Sequence, residues 1–231
     1  MIGIIAAMQQ ETVFLKQHMS EVESVSIGEC IFFTGKINHT PVVLLQCGIG
    51  KVNAAVGTAL LIERFKPTFV INTGVAGGLH PSLSVGDIVI SISVRHHDVD
   101  LTIWGYEHGQ LPKLPAVFTP SQVLIEAALC AAKKMSMHVT QGLIVSGDSF
   151  IHQEEDIEKI KQKFPGVHAV EMEAASIAQV CHQFKIPFVI IRALSDIAGK
   201  ESLVSFNDFL EEAAKNSAQL ILYTLAELKT E

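Results

Sequence analysis

Short runs of β-branched and other apolar residues recur along the chain, and they constrain its fold because several of the predicted strands are apolar on both faces. These runs lie at 2–8, 42–48, 68–74, 87–94, 142–148 and 187–196. Stretches with helical periodicity lie between them, at 9–18, 50–64, 121–135, 154–164, 171–184 and 206–228. Strands of this kind that alternate with helices form a central sheet covered on both sides. The sequence therefore predicts an α/β fold with a mixed, largely parallel sheet.

Length and composition predict one ordered domain over residues 1–231. Of the 231 residues, 48% are hydrophobic and 18% are charged, which is enough to bury a large core and argues against disorder. Neither an internal repeat nor a Pro/Gly-rich linker separates two halves. The cysteines are far apart and form no CxxC pair, which predicts reduced core residues rather than a disulfide or zinc framework: Cys30, Cys47, Cys130 and Cys181.

Charge and hydropathy exclude several classes of partner. The formal net charge of −7 argues against binding to nucleic acid or to an acidic membrane surface. The longest apolar runs are far too short to span a bilayer, and the first residues show neither a basic region nor a cleavage-site pattern. The sequence therefore predicts a cytoplasmic protein.

Acidic side chains follow several of the predicted strands. Glu11, Asp148, Glu173 and Asp196 come from four separate segments, with Arg192 as the neighbouring cation. Because ligands of open α/β sheets bind beyond the carboxyl ends of the strands, these acids could converge on one rim. Such a rim predicts a site for a ligand that is not anionic.

Each acid also has a simpler interpretation. Asp196 closes a nearly continuous apolar strand, so it could hold a proton at neutral pH and donate it, or it could cap the following helix. Glu11 and Glu173 could each be a solvated acid in the first turn of a helix. The case for a site rests on their convergence.

Other motifs argue against nucleotide and metal sites. The segment "NTGVAGGL" at 72–79 is not GxGxxG, and "CGIGK" at 47–51 has Leu45 where the Walker pattern needs glycine. "RHHDVD" at 95–100 could hold a metal, but adjacent histidines on a strand point to opposite faces, so we expect no metal. Phe150 and Ile151 are either core residues or an apolar slot for a flat ring.

Several motifs together resemble one family. They are "GIIAAMQQE", "GIGKVNAA", "NTGVAGGL", "VGDIV", "GYEHGQLP", "GLIVSGDSFI", "AVEMEAASIAQVC" and "VIIRALSD", which span the chain from residue 2 to the last predicted helix. The family is that of the 5′-methylthioadenosine/S-adenosylhomocysteine nucleosidases, in the nucleoside phosphorylase superfamily. The resemblance implies a single three-layer α/β/α domain, a homodimer, no metal or cofactor, and hydrolysis of the N-glycosidic bond of adenine thionucleosides.

The resemblance also implies the roles of individual residues. Asp196 would be the general acid toward adenine N7, and Glu11 would position and deprotonate the attacking water. Glu173 would hold the ribose hydroxyls. The remaining contacts would be Met172 on the sugar, Phe150 and the Ile151 backbone on adenine, Gly77 in the glycine-rich wall, and Met8, Ile49 and Phe206 on the alkylthio arm. A neighbouring subunit would contribute Leu101, Trp104 and Pro112, while Ser195 and Arg192 would support Asp196.

Bond cleavage between C1′ and N9 makes the ribose positive and the purine negative, so carboxylates and one proton donor suit this chemistry. The chain departs from the family pattern at Val75, where serine is frequent, which leaves the positioning of water open. Two rivals follow: a phosphorylase, which needs cations or hydroxyls for phosphate, and a nucleoside sensor without turnover. Hydrolysis is favoured over phosphorolysis because the first loop, "AAMQQE", has no cation and the wall offers only Asn72 and Val75, and the three retained carboxylates argue against the sensor. Glu171 is expected only to cap the helix or to bind solvent.

Overall fold

The computed structural model describes residues 1–136, 138–199 and 202–228, without the side chains of 202–205. The strands of the described part are β1 (Ile2–Ala6), β2 (Ser20–Ile27), β3 (Cys30–Ile37), β4 (Thr40–Gln46), β5 (Phe69–Asn72), β6 (Val75–Gly78), β7 (Ile88–His96), β8 (Val139–Ser146), β9 (Val167–Glu171) and β10 (Phe188–Ile197). The α-helices are α1 (Gln9–Gln17), α2 (Lys51–Phe65), α3 (Gln122–Ala132), α4 (Glu154–Lys163), α5 (Ala174–Phe184) and α6 (Ser202–Glu227).

The described strands form one mixed sheet. Their order is β2-β3-β4-β1-β5-β10-β6-β9-β8-β7, and β10 also pairs with β7, so the second half of the sheet closes on itself. Pairing is parallel for β1 with β4 and β5, for β10 with β5 and β6, and for β8 with β7 and β9. It is antiparallel at β2/β3, β3/β4, β6/β9 and β7/β10. The predicted mixed, largely parallel α/β sheet is confirmed.

Successive residues of a strand face opposite sides, so each face of the sheet has its own core. On β1, Ile5 belongs to the cluster packed with α2 and α5, whereas Ile4 belongs to the cluster packed with α1, α3 and α6. Helices therefore cover both faces of the sheet, which gives the three layers of the predicted α/β/α fold. No helix of the described residues is long and apolar enough to cross a membrane.

Four strands lie outside the six predicted runs: β9, just before Glu173, and the three unexpected strands β2, β3 and β6. β2 is mostly exposed and polar, so it lacks the apolar pattern used for the prediction, and β3 extends it as a hairpin at the edge of the sheet. β6 lies within the glycine-rich segment at 72–79, outside the predicted apolar runs. The expectation that all cysteines are core residues is wrong for Cys130, which is exposed on α3 with its Sγ 3.4 Å from Glu227 Oε2.

Candidate active site

A cavity of about 310 Å³ lies where β1, β9 and β10 end, and β6 forms part of its wall. Apolar side chains and backbone make most of its wall, and four carboxylates reach it from three separate parts of the chain. Its lining residues are Ala7, Met8, Glu11, Ile49, Val75, Ala76, Gly77, Phe150, Val170, Glu171, Met172, Glu173, Ser195, Asp196 and Phe206. The structure thus brings Glu11, Glu173 and Asp196 together, as the interpretation of the rim required.

Glu11 is held in the cavity by backbone amides. It lies in the first turn of α1, where its Oε2 accepts from Ala7 N at 2.8 Å and from Met8 N at 2.9 Å. Its Oε1 accepts from Val75 N at 3.1 Å. The side chain is 2% exposed, so it is not a solvated first-turn acid. Burial raises the pKa of Glu11, and the charge of Arg192 and these amides only partly oppose the shift.

Gly74 permits the approach of Glu11 to the sheet. Its φ of +149° is rare for residues with a side chain, and a Cβ there would lie 2.5 Å from Glu11 Oε1 and 1.9 Å from Arg192 Nη1. A larger residue at position 74 would therefore push both charged groups out of place. The absence of a side chain at position 74 lets the Glu11 carboxylate and the Arg192 guanidinium both pack against the backbone there.

A β-bulge in β10 directs two adjacent side chains into the cavity. Leu194 pairs with Ala76 and Asp196 with Gly77, so Ser195 is the extra residue. In a regular strand Ser195 and Asp196 would face opposite sides, but here both line the cavity. Ser195 Oγ donates to Asp196 Oδ1 at 2.9 Å, and Asp196 is 2% exposed. The bulge explains how neighbouring residues act at one site.

The segment from β9 to α5 supplies the other acids. Glu173 Oε1 accepts from Gly50 N at 2.8 Å, and its side chain is 5% exposed. Burial, together with the negative charge of Glu171, raises the pKa of Glu173 to about 8, although Arg192 and the Gly50 amide oppose the shift. The ionised form of such a carboxyl group is strongly stabilised by a positive charge placed beside it.

Arg192 is fully buried and lies among the glutamates. Its Nη2 donates to Glu171 at 2.5 Å and to Glu173 at 3.4 Å. It also donates to Asn72 Oδ1 at 2.9 Å and to Thr73 O at 3.0 Å. The hydrogen bonds and ion pairs of Arg192 described here are made to Glu171, Glu173 and the end of β5, whereas the resemblance implied that Arg192 supports Asp196. Of the two expectations for Glu171, capping agrees with the structure, since the amides of Glu173 and Ala174 at the start of α5 donate to it, whereas binding to solvent does not, because the side chain is buried.

The remaining expected contacts divide into two groups. Met8, Ile49, Val75, Gly77, Phe150, Met172 and Phe206 line the cavity, and the rings of Phe150 and Phe206 meet edge to face at 5.8 Å. Ile151 lies in a smaller adjoining cavity that Phe150, Gly77 and Asp196 also line. The second group lines neither of these two cavities; its members are Leu101, Trp104 and Pro112. Trp104 is 71% exposed.

Two features of the sequence lie outside the cavity wall: Asp148, which was expected at the rim, and the "RHHDVD" segment, which was considered as a metal site. Asp148 is exposed, and its Oδ1 accepts from Lys51 N at 2.7 Å, at the start of α2. In the "RHHDVD" segment, His96 bonds Gln179 at 2.9 Å and Asp98 forms an ion pair with Lys51 at 2.6 Å. These side chains have local structural partners.

Replacing Glu173 with glutamine should stabilise the protein increasingly as the pH rises. The folded-state pKa of about 8 exceeds the ordinary value of 4.5, so between these values the folded protein holds a proton that the unfolded chain has lost. Native stability must therefore fall as the pH rises through this window. Glutamine does not titrate, so the variant escapes a loss of up to a few kcal/mol.

Thermal unfolding at pH 5, 7 and 8.5 measures this effect. The Tm of the Glu173→Gln variant relative to the original chain should increase across the series. Glu23→Gln on β2, where the side chain is exposed, is the matched control and should show no such trend. A constant difference in Tm across the three pH values would contradict the raised pKa of Glu173.

Comparison with known proteins agrees with this fold and site. A family model described as the phosphorylase superfamily matches residues 1–226. A 5′-methylthioadenosine/S-adenosylhomocysteine nucleosidase of Geobacillus thermodenitrificans is 56% identical over 224 residues, which are 96% of this chain and 95% of that protein. The corresponding nucleosidase of Bacillus subtilis is 51% identical over 222 residues, 96% of each chain.

A solved structure extends the likeness to the fold. The nucleosidase of Neisseria meningitidis, in complex with methylthio-immucillin-A, superposes with a TM-score of 0.97 at 50% identity, covering 98% of this chain and 99% of that one. Sequence and architecture therefore agree over almost the whole length. The chain belongs to the phosphorylase superfamily and, within it, to the 5′-methylthioadenosine/S-adenosylhomocysteine nucleosidase family.

Proposed function

We propose that the chain hydrolyses the N-glycosidic bond of 5′-methylthioadenosine and of S-adenosylhomocysteine, releasing adenine and the thioribose product. The observation that carries the proposal is the convergence of Glu11, Glu173 and Asp196 on one largely apolar cavity. Relatives that bear the name of this activity, at 51% and 56% identity, support it. The proposal extends to 5′-deoxyadenosine as a third substrate. Hydrolysis of the two thionucleosides would place the enzyme in methionine salvage and in the recycling of S-adenosylmethionine.

Departure of the purine is the step that Asp196 would assist. As the bond from C1′ to N9 breaks, negative charge collects on the purine, and a proton delivered to N7 neutralises it. Asp196 is buried and accepts from Ser195, so its orientation is fixed before the substrate binds. Phe150, at the same wall, offers a ring face to adenine.

The sugar becomes cationic in the same step, and the other side of the cavity suits that charge. Glu173 would bind the ribose hydroxyls, and the polarisable sulfur of Met172 would lie against the ring. Because burial raises the pKa of Glu173, a developing positive charge nearby interacts strongly with its ionised form. Interactions that strengthen as charge develops lower the barrier rather than the ground state.

Glu11 would accept a proton from the attacking water. Its raised pKa makes it a stronger base than an exposed glutamate, and three amides fix its direction. The contact from Val75 is made by its backbone N–H, so the absence of a serine hydroxyl at this position leaves the Glu11 anchor in place. The retained anchor supports a catalytic site over a sensor without turnover.

Water is favoured over phosphate as the nucleophile. Arg192, the cation beside the cavity among the described residues, is already bound by Glu171, Glu173 and two backbone or amide oxygens. A phosphate dianion would have to compete with these carboxylates. Adenine release from either thionucleoside in phosphate-free buffer tests the proposal, and strict dependence of that release on phosphate would identify a phosphorylase instead.

We further propose that the enzyme is a cytoplasmic homodimer. Ile103 and Trp104 are 86% and 71% exposed, and Ile49 and Val52 are 50% and 71% exposed, which is an unusual amount of apolar surface. Leu101, Trp104 and Pro112 would close the cavity of the neighbouring subunit around the alkylthio arm. Molar mass by light scattering tests this, and a fully active monomer would contradict it.

A further inference from the structure

Glu171 lines the cavity but has no part in the mechanism given above. It accepts from Arg192 Nη2, from the hydroxyl of Ser146, and from the backbone amides of Glu173 and Ala174 at 2.9 Å each. All of these groups donate to it, so the carboxylate acts purely as an acceptor. Side chain and backbone contacts together fix it between β8, β10 and the start of α5.

The guanidinium of Arg192 is shared unequally between two glutamates. Its Nη2 is 2.5 Å from Glu171 Oε2 but 3.4 Å from Glu173 Oε2. Since a close guanidinium pair occupies the acceptor sites of a carboxylate, Glu171 leaves those of Glu173 largely unused on this side. Glu173 needs such free acceptor capacity if it is to bind two ribose hydroxyls.

We propose that Glu171 is a positioning residue of this enzyme, which binds the Arg192 guanidinium and so keeps the Glu173 carboxylate available to the ribose hydroxyls. The inference rests on the proposed function. Glu171 does not touch the reacting atoms in this scheme. It acts through Arg192 and through the two amides at the start of α5.

Without the charge of Glu171, Arg192 should move onto Glu173. The substitution Glu171→Gln keeps the size of the side chain, but its amide N–H₂ must face donors at Arg192, Ser146 or the helix start. Glu173 would then be more ionised and yet bound to Arg192, so its contact with the sugar would weaken. We expect kcat/KM to fall roughly 10- to 100-fold, the range for loss of hydrogen bonds to a charged group.

The pH profile separates this role from a purely structural one. The charged and titratable groups that face Glu173 are Glu171 at the end of β9, Arg192 on β10, Glu11 on α1, Cys47 after β4, and Asp148 and Lys51 beyond Gly50. Glu171 raises the pKa of Glu173 and Arg192 lowers it. Removing the first and bringing the second closer both lower this pKa, so the part of the acid limb of kcat/KM that reports Glu173 should move to lower pH.

The experiment compares the original chain with Glu171→Gln, and with Glu23→Gln as a matched loss of one exposed charge. Each protein is assayed with methylthioadenosine and with its 2′-deoxy analogue from pH 5 to 9. The inference expects the acid limb of Glu171→Gln to lie at lower pH and its preference for ribose over 2′-deoxyribose to be weaker. A folded Glu171→Gln protein with an unchanged limb and preference would overturn it.

If Glu171→Gln does not fold, Ser146→Ala decides the question. This variant keeps the charge of Glu171 but removes a buried hydroxyl that donates to Glu171 and accepts from the Ala175 amide at 2.7 Å, while leaving the volume of the side chain almost unchanged. The ribose preference and the acid limb should then change in the same directions, several-fold less, and no change would overturn the inference. Absence of turnover in the original chain would instead contradict the proposed function, so the two failures are distinguishable.

Discussion

Replacement of Asp196 with asparagine should remove nearly all turnover and leave the affinity for adenine almost unchanged. Asparagine has the same shape and can donate a hydrogen bond to N7, but it cannot transfer a proton to the departing purine. A positioned general acid is typically worth about 10²–10⁴-fold, so we expect kcat to fall by that factor. Single-turnover adenine release and adenine binding by calorimetry measure the two quantities.

Two comparisons support the assignment of this loss to proton transfer. Asp208→Asn changes an exposed side chain on α6 and should leave kcat unchanged. Ser195→Ala removes the hydroxyl that donates to Asp196 at 2.9 Å, so it should reduce turnover by a smaller factor through poorer orientation. If Asp196→Asn kept kcat within a few-fold of the original chain, Asp196 would not be the general acid.

The position of the site could be predicted from the sequence because it depends on strand order along the chain. Glu11 and Asp196 each follow or end a strongly apolar strand, and parallel strands bring their carboxyl ends to one rim. Asp148 also follows such a strand but binds the start of α2 instead. A strand end therefore predicts the rim, and the local turn decides whether a side chain faces the cavity.

The partners of Arg192 could not be predicted in the same way. Asn72, Glu171 and Arg192 come from β5, β9 and β10, and the sequence contains no local signal that brings their side chains together. The bulge that turns Ser195 and Asp196 toward one cavity is likewise a property of the pairing of β10 with β6. Such contacts depend on register between strands, which a pattern of apolar residues in a single strand does not encode.

The second large effect is expected for Glu11. With glutamine in its place, the attacking water loses its base, and kcat should fall by about 10²–10⁴-fold. The raised pKa of Glu11 adds a distinct signature, because protonation of this carboxyl removes the base at low pH. Activity should therefore rise with pH through the pKa of Glu11 in the original chain, and this part of the profile should be absent from Glu11→Gln.

The local geometry determines how Glu11→Gln must be controlled. The glutamine oxygen can replace Oε2 and accept from Ala7 and Met8, but its N–H₂ would then meet the Val75 N–H, donor against donor. Some disturbance of the cavity wall is therefore expected, and adenine affinity reports its size. Gln10→Ala, at the neighbouring exposed position of α1, should retain full turnover and the same pH profile. Glu11→Gln with intact adenine affinity and an acid limb that has lost the Glu11 ionisation would identify Glu11 as the base, whereas an acid limb unchanged from the original chain would assign the whole limb to Glu173.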